Sequence, residues 1–316
     1  MQKRKEYRGI LAAYRCPITL LASWSLLGGL TTTMPPVHAQ VLVTQSRNNE
    51  SRHSYHNSQQ LYKLLEEGRR LVDAGNFSGA IARYQRAATL EQNNPRIYAS
   101  LGYLYARQRN FSAAVAAYQQ AIAIDRNNAD FHYALGHSLG NLGENAEAAA
   151  AYRHTIKLAP NHLNAYLGLG VVLLRQGDYN GAMWAYQQVF AREPKNASAY
   201  ELMGAMLMQQ GQIKEAISAL QKAATLAPDN SSVLLTLATA WVSQGNFTAG
   251  LMTLKQAAQV APRNAKVLVQ MGNILRHEND LNGAMEAYRR ALAVQPDLVE
   301  AQEAMSNILQ QKKGYK

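Results

Sequence analysis

The chain has 316 residues with Lys+Arg 32 against Asp+Glu 21, a formal net charge of +11, and one cysteine. The length fits two ordinary domains and the charge invites a nucleic-acid reading. But residues 1–39 hold +4, 40–60 hold +1 and Lys312, Lys313 and Lys316 hold +3, leaving +3 for 61–310. No part of the body has a dense Lys/Arg stripe, so a nucleic-acid partner is not expected.

Residues 1–39 read as a signal peptide. A basic start precedes the uncharged run Ile18–Leu30, and Val37-His38-Ala39 forms a small-x-small cleavage site before Gln40. Thirteen apolar residues fall short of the roughly 20 that span a bilayer. An uncleaved membrane anchor stays open as the alternative. Cys16 precedes the apolar run, so a chain cleaved after Ala39 has no cysteine, hence no disulfide and no thiol nucleophile. Residues 40–60 are polar and read as a disordered linker. His53 and His56 within it lack a third metal ligand.

From residue 61 the chain repeats. Gly68, Gly102, Gly136, Gly170, Gly204 and Gly272 recur at multiples of 34, with Ala238 at the missing place. Twelve residues after each stand Ala80, Ala114, Ala148, Ala182, Ala216, Gly250 and Ala284. Four further on come Tyr84, Tyr118, Tyr152, Tyr186, Leu220, Leu254 and Tyr288, and Pro160, Pro194, Pro228, Pro262 and Pro296 form a fourth column. A fixed period over several columns marks a repeat array. Seven units follow: 61–94, 95–128, 129–162, 163–196, 197–230, 231–264 and 265–298. The spacing predicts two helices per unit. In the second unit Tyr98, Leu101, Gly102 and Tyr105 mark one helical face and Ala114, Tyr118 and Ala121 another. Gly75, Gly143, Gly177, Gly211 and Gly245 suit a left-handed turn between the helices, with Arg109 and Asn279 in that place in two units. Asn76, Asn110, Asp178, Asn246 and Asp280 are the expected caps of the second helix. Gly170 costs about 1 kcal/mol of helix propensity. The expectation is that it lets two helices approach closely, with Ala182 as its small partner and Tyr186 filling the wider space.

This pattern resembles the tetratricopeptide repeat family across 61–298. Leu101-Gly102, Tyr105, Ala114, Tyr118 and Ala121 stand at that family's columns. Gln92 and Arg126 depart from its proline, and Tyr, Leu or His132 from its initial Trp. The resemblance implies an all-α, right-handed α-solenoid of about seven helix–turn–helix repeats. It also implies a concave groove for protein or peptide partners, no catalysis and no cofactor. Residues 299–316 are expected to form a capping helix and basic tail.

Enzyme motifs fail on context. Gly136 to Gly140 reads GHSLG, but a nucleophile elbow needs a strand-to-helix turn. Gly168-x-Gly170 has Leu173 at the third glycine place of a dinucleotide fingerprint. The histidines His132, His137, His154 and His162 form no i, i+4 pair. Asn76, Asn196, Asn230 and Asn246 match glycosylation sequons but sit at turns where asparagine serves the backbone.

The groove is expected on residues three before the glycine column and one, four and five after it. In the first three units these are Leu65, Arg69, Asp73, Tyr103, Arg107, Tyr133, His137 and Asn141. The middle units supply Leu167, Val171, Leu174, Arg175, Ala205, Met208, Gln209, Leu235, Thr239 and Val242. The last supplies Val269, Asn273, Arg276 and His277. About half are expected only to complete the core or meet solvent. The start of this face is polar and aromatic, and its middle is apolar. The functional expectation is an exported, non-enzymatic scaffold in an extracytoplasmic (secreted or periplasmic) compartment, with a protein or peptide partner. The alternative is an assembly factor for a membrane complex, tethered by its uncleaved head.

Overall fold

The computed structural model describes residues 57–314, with side chains to residue 311, and every regular element among them is an α-helix. The helices are α1 (57–73), α2 (Phe77–Leu90), α3 (Pro95–Arg107), α4 (Phe111–Ile124), α5 (Ala129–Leu142), α6 (Asn145–Leu158), α7 (Leu163–Arg175) and α8 (Tyr179–Arg192). They continue as α9 (Ala197–Gln209), α10 (Ile213–Leu226), α11 (Ser231–Ser243), α12 (Phe247–Val260), α13 (Ala265–His277), α14 (Leu281–Val294) and α15 (Val299–Gly314). Each expected unit holds one pair, a first helix A and a second helix B. Helix α1 takes in 57–60, which the sequence reading gives to the linker. The expected signal peptide and the rest of the linker lie outside the described residues.

The chain divides into two compact units, one ending at Ser138 and one beginning at Leu139. The N-terminal unit buries Leu64, Ala80, Tyr84, Ile97, Leu101 and Leu104 in one cluster and Ala114, Tyr118, Ala121 and Phe131 in another. In the C-terminal unit each helix packs on its sequence neighbours. Leu234, Ala238, Leu254, Val267 and Ile274 form one of its clusters, and Leu268, Tyr288, Ala301, Ala304 and Ile308 seat α15 on the last repeat.

The turns form as the side chains dictate. Gly75, Gly143, Gly177, Gly211 and Gly245 have φ between 74° and 85°, and Arg109 and Asn279 accept φ 62° at the same place. Asn76, Asn110, Asp178, Asn246 and Asp280 cap the following helix, each accepting an N–H from three residues on. A second capping column closes the repeats. Asn94, Asn128, Asn196, Asn230 and Asn264 accept N–H groups of the next helix A, and His162 does the same through Nδ1. Asparagine is a preferred N-cap because its short carbonyl reaches otherwise unpaired donors. Of the four sequon asparagines, Asn76 and Asn246 cap B helices and Asn196 and Asn230 cap A helices.

Helix B ends at the same register with or without the proline: α2 and α4 stop at Leu90 and Ile124 although Gln92 and Arg126 follow. The position of the family's initial Trp does a different job here. His132 Nε2 lies 2.9 Å from the Arg126 carbonyl oxygen, and the Tyr166 hydroxyl donates to that of Pro160 at 3.2 Å. Gln302 Nε2 donates to the Pro296 carbonyl at 2.7 Å. Each side chain ties helix A to the turn six residues before it.

The glycine column has a more specific reason than close approach to Ala182. A Cβ on Gly170 would collide with the Tyr186 ring, whose atoms are its three nearest neighbours. A Cβ on Gly102 would stand 2.8 Å from Tyr118 Cε1, and one on Gly272 would stand 2.6 Å from Tyr288 Cε1. Glycine vacates the space that the tyrosine ring fills. The sixth repeat inverts the pattern. Ala238 and Leu254 share a buried cluster there. The opposite column holds Gly250, where an added Cβ would stand 3.0 Å from Val242 Cγ2 and 3.3 Å from Ile274 Cδ1, with the Ala238 carbonyl oxygen next at 3.4 Å.

Candidate functional site

The expected groove residues lie on the A helices, and each unit is described by itself. In the N-terminal unit Arg69, Arg107 and His137 are exposed, and Tyr103 and Tyr133 are half-buried. Arg107 is engaged: its guanidinium carbon sits 5.3 Å from the Phe77 ring centroid, within cation–π range. Desolvation lowers the His137 pKa below its ordinary 6.5, favouring the neutral ring.

In the C-terminal unit α7, α9 and α11 lie side by side. They bring Leu167, Val171 and Leu174, then Met208, then Val242 onto neighbouring helices, all half-buried. Leu167, Met208 and Val242 also pack against core clusters, so they edge the interior while keeping exposed surface. Asn141 and Arg276 are exposed. Val269 does not belong to such a face: it is 2% exposed and packs with Leu268 and Tyr288. Its helix turns it inward because α15 covers that side.

The polar members at the two ends are committed to the fold. Arg175 Nη1 donates to the Gly140 carbonyl at 2.6 Å, neutralising the C-terminal end of α5. His277 stacks on Phe247 with centroids 3.8 Å apart, at the position that Arg107 holds over Phe77. Asn273 accepts a 2.6 Å bond from the Tyr288 hydroxyl and donates to Glu300 at 3.0 Å. Burial raises the Tyr288 pKa, with Glu300 adding to the rise and Arg276 opposing it. In the fourth repeat Val171 stands where the seventh has Asn273. There the Tyr186 hydroxyl is buried without a hydrogen-bond partner, and burial pushes its pKa far above 10.0.

Ser138 of GHSLG is fully buried within α5 and donates to the Ala134 carbonyl at 2.9 Å. Among the described residues no group of three His, Cys, Asp or Glu side chains is placed to hold a metal ion, and no helix is long and apolar enough to cross a membrane.

Sequence reasoning missed two open depressions in the C-terminal unit. One, of about 450 Å³, is lined by Pro194, Lys195, Tyr200, Ser218, Lys222 and Leu226, among others. The other, of about 700 Å³, includes Pro262, Arg263, Lys266 and Val294. Neither contains an expected groove residue. Their signal was present in the period, since Pro194, Lys195 and Leu226 recur as Pro262, Arg263 and Val294 two repeats later.

Comparison with known proteins agrees with the geometry. The family model described as the Cilia and flagella-associated protein 70 C-terminal domain matches residues 124–316. Models described as TPR repeat and Tetratricopeptide repeat match 68–108 and 95–128. A TPR repeat-containing protein of Picosynechococcus sp. is 48% identical over 44 residues, which cover 14% of this chain and 11% of that protein. A tetratricopeptide repeat protein from Parabacteroides merdae superposes with TM-score 0.67 at 18% identity, over 79% of this chain and 99% of its own. Yeast Tom70 does so with TM-score 0.63 at 15% identity, over 86% of this chain and 59% of its own. These identities speak for the fold alone. Periodicity, paired helices and family models converge: the chain belongs to the tetratricopeptide repeat family.

Proposed function

We propose that the chain is an exported, non-enzymatic scaffold that binds a protein or peptide partner on the A-helix face of its C-terminal unit. The observation that carries this reading is the half-buried apolar track of Leu174, Met208 and Val242 on adjacent helices. Leu167 and Val171 extend it. Such a surface suits an extended or amphipathic segment of a partner, whose apolar side chains lose water on contact. Asn141 and Arg276, exposed on α5 and α13, supply polar groups beside it, while Arg175 and Asn273 brace the fold beneath. Arg69, Tyr103, Arg107, Tyr133 and His137 offer a polar–aromatic counterpart on the N-terminal unit.

Met208→Glu tests the proposal. A charge in a desolvated contact without a partner is expected to weaken binding at least about tenfold. Titration of a partner recovered from the extracytoplasmic fraction measures it, with circular dichroism confirming the fold. Removing Lys312, Lys313 and Lys316 is expected to change affinity little except at low salt. If the tail deletion abolishes binding and Met208→Glu leaves it intact, the tail is the binding site. Export rests on the composition of residues 1–39. N-terminal sequencing of the mature protein decides it: Gln40 supports release, and an intact Met1 supports the membrane-tethered assembly factor instead.

A further inference from the structure

The two depressions sit at equivalent repeat junctions, each beside the proline that follows helix B and the apolar end of the next helix B. Each contains two cations: Lys195 with Lys222, and Arg263 with Lys266. All four are exposed, none forms an ion pair among the described residues, and no carboxylate lines either depression. In a body of net charge +3 this is a concentration of unspent positive charge. Lys222 is held in place, with Nζ 5.6 Å from the centroid of the Tyr200 ring, which itself packs on Phe190 at 4.6 Å.

We propose that this junction edge of the C-terminal unit is a second binding surface, for an acidic polypeptide segment with apolar residues between its carboxylates. One carboxylate meets Lys195 and Lys222, and another meets Arg263 and Lys266. The guanidinium of Arg263 can take its carboxylate through two parallel hydrogen bonds. Apolar side chains of the segment rest on Pro194 and Leu226, and on Pro262 and Val294. A nucleic acid fits less well. Asp229 occupies the place of Lys195 and Arg263 in the intervening repeat, and Asp297 follows in the next. A phosphate backbone needs an unbroken run of positive charge, whereas a peptide can space its carboxylates. Single exposed ion pairs contribute little, so affinity builds up over the two sites, each adding a modest share. This surface is separate from the A-helix face and does not depend on it.

The test is fluorescence anisotropy on the full chain with three labelled probes: a short peptide of Glu, Asp and Leu, the same peptide with Gln and Asn for the acids, and a single-stranded oligonucleotide. The acidic peptide is expected to bind, more weakly as salt rises, with the neutral peptide much weaker. Lys195→Ala with Lys222→Ala is expected to lower its affinity roughly fivefold. Adding Arg263→Ala and Lys266→Ala should abolish binding, while Met208→Glu leaves it unchanged. These side chains are exposed, and circular dichroism checks that each variant folds. The proposal is overturned if the acidic peptide does not bind, if the neutral peptide binds equally, or if the oligonucleotide binds more tightly. It is overturned equally if the fourfold variant retains binding or Met208→Glu removes it.

Discussion

The fourth and seventh repeats bury the same tyrosine over the same glycine and treat its hydroxyl in opposite ways. Tyr288 over Gly272 donates to Asn273, which passes a second bond to Glu300. Tyr186 over Gly170 ends in a hydroxyl without a partner, because the position of Asn273 is Val171. The seventh repeat thus gains a polar network that reaches α15. The fourth keeps its surface apolar and bears the desolvation of one hydroxyl. An unsatisfied buried hydroxyl costs about 1–3 kcal/mol. The difference shows that ring packing, which both repeats share, is the common requirement, and that hydroxyl pairing is set locally.

The shared requirement gives the largest expected effect. Gly170→Leu forces a branched side chain into the Tyr186 ring and should cost about 1–3 kcal/mol or more. Repeats couple mainly to their neighbours, so hydrogen exchange should quicken first in α7, α8 and α9. Equal loss of protection throughout the C-terminal unit would show one cooperative block. Next comes exchange of the residue above the ring. Asn273→Val should destabilise by about 2 kcal/mol, by orphaning the Tyr288 hydroxyl and cutting the bond to Glu300. Val171→Asn should stabilise by up to about 1 kcal/mol by giving Tyr186 an acceptor. Urea denaturation of both variants reads the contrast, and matching signs would break it.

Smaller still is removal of the hydroxyls. Tyr288→Phe should cost about 1 kcal/mol, whereas Tyr186→Phe should be neutral or slightly stabilising. Thermal melts separate these outcomes. The smallest effect is alkaline. Burial raises both tyrosine pKa values above the 10.0 of the unfolded chain. Above pH 10 the unfolded state therefore loses protons that the folded state keeps, and stability falls as pH rises. Below pH 10 the two tyrosines contribute no slope. Melts across that boundary should show a gentler alkaline decline for Tyr186→Phe than for wild type. An unchanged decline would mean that Tyr186 does not titrate as its burial demands.

The helix pairs were legible because packing at fixed distances imposes a fixed period, and the left-handed turns because glycine alone is indifferent there. Even Arg109 and Asn279 could be placed by register. The partner of Gly170 was not legible: a small residue twelve positions on and a ring sixteen on both satisfy the spacing, and only geometry chooses the ring. The A-helix caps were missed although Asn94, Asn128, Asn196, Asn230 and Asn264 form a column as regular as the glycines. Of the expected binding face, Val269 failed because α15 covers it, which no pattern within one repeat could reveal. Arg107, Arg175 and Asn273 proved to have partners inside the fold, so charge and polarity alone overstate what such a face presents.

The exchange between Ala238 and Gly250 bears on how such a chain can be rebuilt. In the sixth repeat the methyl group has moved from one helix to the other, and Leu254 replaces the tyrosine that would have met it. The matched object is therefore the helix pair, not the helix. A chimaera that grafts α11 in place of α7, opposite α8, drives the methyl of Ala238 into the ring of Tyr186. One that transplants α11 and α12 together carries the compensation with it. Grafts of the sixth repeat should succeed when cut at the asparagines that bound it and fail when cut at its internal glycine turn, whereas the fourth and seventh repeats, which share glycine, alanine and tyrosine at these places, should tolerate either cut.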